Sequence, residues 1–354
     1  MTNKKATTDD IAKSAGVSQS TVSMVLNGNT GAKFSDETVE KVFKAAKQLN
    51  YKPSKKRALT QSKPNNCIAL VCPTLDNPYY SSLIQTLENE ITSREYTTII
   101  FNTLRDPKKE ENFLNLFRQF PLSGIIFTTM PFHKEQVEIM SLNIPIVIMS
   151  DKSEYMESDT IEINSKEEGI LVAEHLIELG HKNIAYITTP LGTCSTQRRR
   201  RLEGVQKTVD NFNVKLNVFE NKEENIGKKY RLNSEYYTGF TLAEKARKDP
   251  TITGYIGVND MVAYGIMDNL LSQGVRVSED VSVCGFDNIF PSEFRKISLT
   301  TIDSFLLKKG SDSVNLLFRK INLENKEKEV FDIHRIQYRP KLIVRSSTGP
   351  CGQF

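Results

Sequence analysis

The sequence predicts an α/β protein in two parts: a small head of three helices and a larger, two-lobed body of parallel sheets. Three observations carry that expectation. The chain has 354 residues, and at ~150 residues per domain this suggests two or three domains. From Cys67 onward, short apolar runs alternate with helical patterns, the mark of parallel sheets covered by helices on both faces. Before that point the chain is basic. Residues 1–64 hold 12 Lys+Arg against five Asp+Glu, a surplus of +7 in a chain of net charge +4, which leaves −3 on the remaining 290. A basic head on a slightly acidic body points to a polyanion-binding module joined to something else, with a merely solvated surface as the plain alternative.

Residues 8–51 read as three short helices. Thr8 is expected to cap the first, with Asp9 and Asp10 where the helix dipole favours carboxylates. Ile11, Ala12 and Ala15 give it a narrow apolar stripe, and Gly16 stops it. Ser18 is expected to cap the second helix, in which Val22, Val25 and Leu26 fall at i, i+3 and i+4 and face inward. Asn27, Gly28, Asn29 and Gly31 break the chain. Ser35 caps a third helix with Val39, Val42, Phe43, Ala46 and Leu49 on its buried face, and Pro53 ends it.

Two short helices joined by the Ala15-Gly16-Val17 turn have the form of a helix-turn-helix. The second presents Gln19, Ser20 and Ser23 outward, with Met24 beside them. These are short hydrogen-bonding side chains, unlike the long charges of a solvated helix face. Gln pairs bidentately with adenine N6 and N7, and Ser bonds either kind of base edge. The free N–H groups near Ser18 suit a phosphate. An ordinary three-helix bundle would share the apolar pattern without that polar, uncharged face. Residues 55–64 run from basic to polar and end at Pro64, which reads as an interdomain linker.

In the body, strands are expected at Ile68–Cys72, Thr98–Asn102, Gly124–Thr128, Pro145–Met149, Asn183–Thr188, Gly254–Gly257 and Val281–Gly285. Helices are expected at Tyr80–Arg94, Lys108–Gln119 and Glu168–Leu179, and Asn211–Asn225 reads as a polar surface excursion. About 290 residues exceed one comfortable core, so two lobes are expected. Open parallel sheets bind ligands at the carboxyl ends of their strands. Those ends carry Asp76, Asn77, Tyr79 and Tyr80, then Ser150 and Asp151, then Thr188–Pro190, Asn259 and Asp260, and Asp287 and Asn288. Aromatic rings beside short carboxylates and amides suit a small polar ligand such as a sugar. Loop capping explains any single one of them better than a ligand does; their shared address at strand ends is what raises the ligand reading.

Other classes drop out. No apolar run approaches the ~18 residues of a membrane span, and Met1–Asp10 lacks the apolar stretch of a secretion signal, so a cytoplasmic location is expected. The five cysteines and four histidines show no metal-ligand spacing. No nucleophile–base set and no Gly-rich phosphate loop is present. No enzyme activity, metal or cofactor is expected.

The stretch TTDDIAKSAGVSQSTVSMVLNG (Thr7–Gly28), with FSDETVEKVFKAAKQLNYKPS (Phe34–Ser54), resembles the N-terminal domain of lac repressor family transcription regulators. The resemblance continues through DNPYYSSLIQTLENE (Asp76–Glu90), HLIELGHKNIAYI (His175–Ile187), RLEGV (Arg201–Val205), VNDMVAYGIM (Val258–Met267), VSVCGFDN (Val281–Asn288), SLTTID (Ser298–Asp303) and LIVRSST (Leu342–Thr348). It implies a helix-turn-helix domain over 1–54, a hinge over 55–65 and a periplasmic-binding-protein type I core over 66–354. In that core the N-lobe takes about 66–164 and 304–322, and the C-lobe about 165–303 and 323–348. Crossings between lobes are expected near Asn164, Pro291 and residues 320–330.

The resemblance implies a homodimer on a near-palindromic double-stranded operator, one recognition helix per subunit in the major groove. DNA contacts would come from Ser18, Gln19, Ser20, Thr21, Ser23, Met24 and Asn27, with Leu59 wedged into the minor groove. A sugar-like effector would meet Tyr79, Tyr80, Asp151, Arg201, Asn259 and Asp287. The chain departs from the family pattern at Met24, where Arg or His is frequent, at the longer Asn29–Lys33 loop, at the hinge order Arg57-Ala58-Leu59 and at Ile163. It also departs in the run Arg198–Arg201, of which Arg201 alone fits the motif and the rest are expected in solvent. The expected function is an effector-controlled transcription regulator, a repressor. The alternative is a DNA-binding regulator controlled by a partner protein or constitutively.

Overall fold

Three helices, α1 (Thr8–Ala15), α2 (Gln19–Asn27) and α3 (Asp36–Gln48), build the head. The computed structural model of the chain describes residues 6–27, 34–49, 51, 66–117, 120–192, 196–222, 232–323 and 332–351. Thr7, one residue before the expected Thr8, caps α1. Its hydroxyl accepts from the Asp10 amide while the Asp10 carboxylate accepts from the Thr7 amide, at 3.3 and 2.8 Å. This reciprocal bond fills two of the donors that a helix start leaves open. Gly16 ends α1 at φ 67°, a left-handed conformation that costs glycine little. Ser18 accepts from the Thr21 amide at 3.0 Å at the start of α2, and Ser35 from the Thr38 amide at 3.3 Å at the start of α3. Ile11, Val22, Val25, Val42, Phe43 and Ala46 close a separate small core. Leu49, expected on the buried face, lies at its exposed rim, and Ala45 is buried instead.

The body holds two six-stranded sheets. The first contains β1 (Cys67–Cys72), β2 (Thr97–Asn102), β3 (Gly124–Phe127), β4 (Ile146–Asp151), β5 (Asp159–Ile163) and β11 (Arg335–Tyr338), in the order β11-β5-β4-β3-β1-β2. The second contains β6 (Asn183–Thr188), β7 (Lys215–Glu220), β8 (Gly254–Gly257), β9 (Ser282–Asp287), β10 (Thr300–Asp303) and β12 (Lys341–Ile343), in the order β12-β10-β9-β8-β6-β7. All neighbours are parallel except β10 and β12. Helices α4 (Pro78–Thr92), α5 (Pro107–Phe117), α6 (Lys134–Ser141) and α11 (Leu306–Ile321) serve the first sheet. Helices α7 (Ser165–Glu178), α8 (Thr196–Asn211), α9 (Ser234–Ala246) and α10 (Asp260–Ser272) serve the second. Inner strands are covered on both faces, so β1, β3, β4 and β6 read as near-continuous apolar runs.

The chain passes between lobes after Ile163, after Asp303 and between Tyr338 and Lys341. Two of the expected crossings are thereby corrected. Pro291 lies within the C-lobe in a short 3-10 turn, and β11 pairs with β5, so Arg335–Tyr338 belongs to the N-lobe and not to the C-lobe. β11 and β12 are short and carry polar residues because they sit at sheet edges, where one rim is open. For the same reason Lys215–Glu220, expected as a surface excursion, is the edge strand β7.

Two helix pairs in the C-lobe touch backbone to backbone. A Cβ on Gly204 of α8 would lie 2.0 Å from the Lys166 carbonyl oxygen of α7, and one on Gly265 of α10 would lie 2.0 Å from the Tyr236 carbonyl oxygen of α9. Only glycine permits such approaches. They set the first turn of α7 against the middle of α8, and the first turn of α9 against the middle of α10. Among the described residues no helix is long and apolar enough to cross a membrane.

Candidate functional site

The carboxyl ends of the two sheets face each other across a cleft, and the C-lobe side is built on Arg201. Its guanidinium donates to Glu168 Oε2 at 2.8 Å, to the Val258 carbonyl at 2.9 Å and to Asp287 Oδ1 at 3.1 Å. It also lies 4.6 Å over the Phe286 ring. The close packing of α7 on α8 is what sets Glu168 beside Arg201. Burial works against the Arg201 charge, but Glu168 and Asp287 outweigh it, so the guanidinium stays charged. Asp287 is pushed up to about 6 by burial, against the pull of Arg201. Its backbone takes φ 107°, outside the range ordinary side chains prefer.

A second ionic group lies alongside. Arg198 donates to Glu235 and to Thr189, and Asn259 and Asn77 each donate to Glu235 at 2.7 Å. Asn77 comes from the N-lobe, so Glu235 joins the lobes. A second cross-lobe bond runs from the Asn233 amide to Asp76 at 2.8 Å, and a third from Thr196 to Glu154 at 3.0 Å. Burial opposes the Glu235 charge, yet Arg198 and Arg105 hold its carboxyl below the ordinary value. Arg198, expected in solvent, is therefore buried in this network. It stands three residues before Arg201 in α8, so one helix face carries both. That spacing was the available signal for it.

Of the six effector residues expected from the sequence, Tyr79, Arg201, Asn259 and Asp287 gather at the cleft. Tyr79 shares its electrostatic surroundings with Asp287, Arg201 and Glu168, and burial raises its phenol strongly. Tyr80 is buried edge-on to Tyr79 at 5.0 Å between ring centres, with Arg105 over its face at 5.7 Å. Asp151 does not join the cluster. One oxygen accepts from the Ser153 amide and hydroxyl, the other from the Ser165 amide at 3.0 Å, so the carboxylate anchors the first crossing. Three of the roughly four acceptor sites of this carboxylate are thus taken up inside the protein. Glu168, Arg198, Glu235, Arg105 and Lys309 are the cleft residues that sequence reasoning missed. Lys309, in the first turns of α11, is 3% exposed. Burial lowers its pKa to about 8, while Glu168 and Asp287 support its charge. A cavity of about 290 Å³ opens between the ends of β1, β2 and β3 and the start of α8, lined by Thr103, Arg105, Thr129, Glu154 and Gln197 among others.

In the head, Gln19 and Ser20 at the start of α2 are exposed, and Gln19 Nε2 donates to Thr8 Oγ1 at 3.1 Å. The Ser18 hydroxyl lies 2.8 Å from that of Ser20 and 2.7 Å from that of Thr21. Ser23 and Met24 are half-buried, and Asn27 is the last residue of α2. The α2 N-terminus thus carries a cluster of four small polar side chains at an open helix end, an arrangement suited to a phosphate and to base edges. Leu59 lies outside the described residues, as do the Asn29–Lys33 loop and the hinge.

A model of bacterial regulatory proteins of the lacI family matches residues 7–54, and one of a periplasmic binding protein-like domain matches residues 173–348. The chain is 31% identical over 345 residues to the HTH-type transcriptional repressor PurR of Haemophilus influenzae, covering 97% of this chain and 98% of that protein. It is 31% identical over 350 residues to the HTH-type transcriptional regulator DegA of Bacillus subtilis, covering 98% and 99%. A LacI family regulator from Enterococcus faecium, solved with bound ribose, shares the fold at TM-score 0.66 and 22% identity, over 81% of this chain and all of that one. With a helix-turn-helix head on a two-sheet core, and matches spanning nearly its whole length, the chain belongs to the lacI family of DNA-binding bacterial transcription regulators.

Proposed function

We propose that this protein is a cytoplasmic, homodimeric repressor that reads a near-palindromic operator with α2 and changes its operator affinity when a small polar, sugar-like effector enters the cleft. The observation that carries the reading is the Arg201–Glu168–Asp287 cluster. It is an ionic network built at strand ends, on the side of the C-lobe that faces the N-lobe. Polar groups held in fixed geometry at such a place recognise hydroxyl-bearing ligands. Tyr79 supplies the apolar wall for a sugar face. The ribose-bound relative supports the same class of ligand.

The mechanism follows from the crossings. Three strands of chain allow the lobes to hinge, and a ligand touching both strand-end surfaces favours one closure angle. The hinge segment leads directly into β1 of the N-lobe, so that angle sets the spacing of the two heads. Couplings of this kind are ~1–3 kcal/mol, or about 5–150-fold in operator affinity. Substituting Asp287→Asn removes a cleft charge while leaving the head untouched. In electrophoretic mobility shifts the variant is expected to bind operator as the parent does and to ignore the effector. An unchanged effector response would overturn the assignment.

A rival reading, a regulator with no small-molecule effector, has one observation in its favour. The Asn77–Glu235 and Asp76–Asn233 bonds hold the lobes together through protein groups alone. A thermal-shift screen of sugars separates the two, because a ligand stabilises the fold by RT ln(1 + [L]/Kd).

A further inference from the structure

Among the described residues, two of the four cleft cations, Arg201 and Arg198, contact a cleft carboxylate. Glu168 and Asp287 are both held by Arg201, and Glu235 by Arg198, Asn77 and Asn259. Asp303, at the second crossing, accepts from the Phe305 amide at 2.9 Å. All these pairings are made within the C-lobe or close to it, apart from Asn77. The N-lobe side of the cleft contributes two cations, Lys309 and Arg105. Lys309 is buried, and among the described residues its ammonium has no carboxylate within ion-pair distance. Arg105 lines the interlobe cavity and its charge acts on Glu235, but among the described residues its buried Nη2 has no hydrogen-bond partner.

A buried ammonium is retained where something balances it. Lys309 stands in α11 just past the second crossing, and its charge acts on Glu168, Asp287 and Arg201 of the other lobe. Tyr79, also from the N-lobe, acts on the same three groups. Lys309 and Tyr79 therefore face one cluster from one side. Two carboxylates against one guanidinium leave the cluster a net negative charge that supports the Lys309 ammonium without contact, and among the described residues its N–H donors are left for a ligand. We propose that Lys309 is a specificity-determining residue that receives an anionic group of the effector, a carboxylate or a phosphate, with Arg105, in the interlobe cavity, as a second cation. An oxyanion makes charge-assisted bonds that a sugar hydroxyl matches only weakly. This inference rests on the effector reading above and narrows it from a neutral sugar to an acidic or phosphorylated one.

The test uses the full chain and matched probes: glucose, gluconate and glucose 6-phosphate, then ribose and ribose 5-phosphate, followed by thermal shift and calorimetry. An anionic member is expected to bind at least tenfold more tightly than its neutral parent. Preference for gluconate or for the phosphates tells carboxylate from phosphate. Lys309→Met is expected to weaken that probe by tenfold or more and to raise the melting temperature of the unliganded protein, since the desolvation of a buried ammonium with no contact partner is gone. Lys309→Arg is expected to keep the anion preference, and it serves if the Met variant does not fold. Neutral parents binding as tightly as the anions would overturn the inference. So would a Lys309→Met protein that melts lower and binds the probe unchanged, the behaviour of a structural lysine. If neutral sugars bind and Asp287→Asn abolishes that binding, the effector reading stands and only the anion falls. If no probe binds, both fall.

Discussion

Asp260 accepts from the Ile289 amide, the Ser292 hydroxyl and the Thr301 hydroxyl at 2.6–3.0 Å, and it is fully buried. Burial, aided by the nearby Asp287 charge, pushes its pKa up from 3.8 to about 7. The folded state therefore holds a proton that the unfolded chain releases. The stability this gives is fully present below about pH 4 and is lost as pH rises through 7, at no more than about 1.4 kcal/mol per pH unit. Asp287 acts in the same direction up to about pH 6. Asp260→Asn does not titrate, so urea midpoints between pH 5 and 8 are expected to fall less steeply in the variant than in the parent. Parallel curves would place the proton elsewhere. At this scale the sequence was uneven. Arg201 and Asp287 sit in recognisable motifs, whereas Lys309 in an amphipathic helix looks like a solvent-facing charge. Its burial comes from the packing of α11 on its own lobe, where Lys309 lies with Ser313, Val314 and Leu317 among the buried residues of the helix, and a lysine there is not foreseen from its residue type.

Among elements, the contact of α7 with α8 depends on Gly204 lying almost against the Lys166 carbonyl. Gly204→Ala places a methyl where backbone stands, and overpacking of this kind costs ~1–3 kcal/mol or more. The expected result is a lower urea midpoint together with a weaker effector response, because spreading the helices parts Glu168 from Arg201. Loss of stability with a full response would mean that the ionic cluster tolerates a looser helix pair. Elements were legible in proportion to their cover. Strands buried on both faces, such as β1 and β6, announce themselves as apolar runs. The edge strands β7, β11 and β12 mix Lys, Arg, Asn and Gln with apolar residues and look like loops until a neighbour is seen.

For the whole molecule, one recognition helix reads few base pairs, and two copies a helical turn apart multiply the selectivity. Sedimentation of the full chain at micromolar concentration is expected to give a dimer, and a monomer would sink that expectation. Operator affinity should also fall steeply with salt, with a log–log slope near −0.9 for each phosphate neutralised, since each head carries a +7 surplus. The head and the two-lobed plan were legible from charge and alternation. Of the crossings, the one near Asn164 was legible; the last was not, because a return to the first sheet at β11 is a long-range pairing with no local signature. That return also bears on how the protein is made. β11 closes the edge of a sheet whose first strand was laid down some 260 residues earlier, and β12 closes the other sheet immediately afterwards. Neither lobe is complete while its last strand is still inside the ribosome. Because long-range pairings form slowly and partly folded sheets expose sticky edges, nascent chains should depend on chaperones until synthesis ends. Loss of the last twenty residues would leave both halves open at once, rather than one.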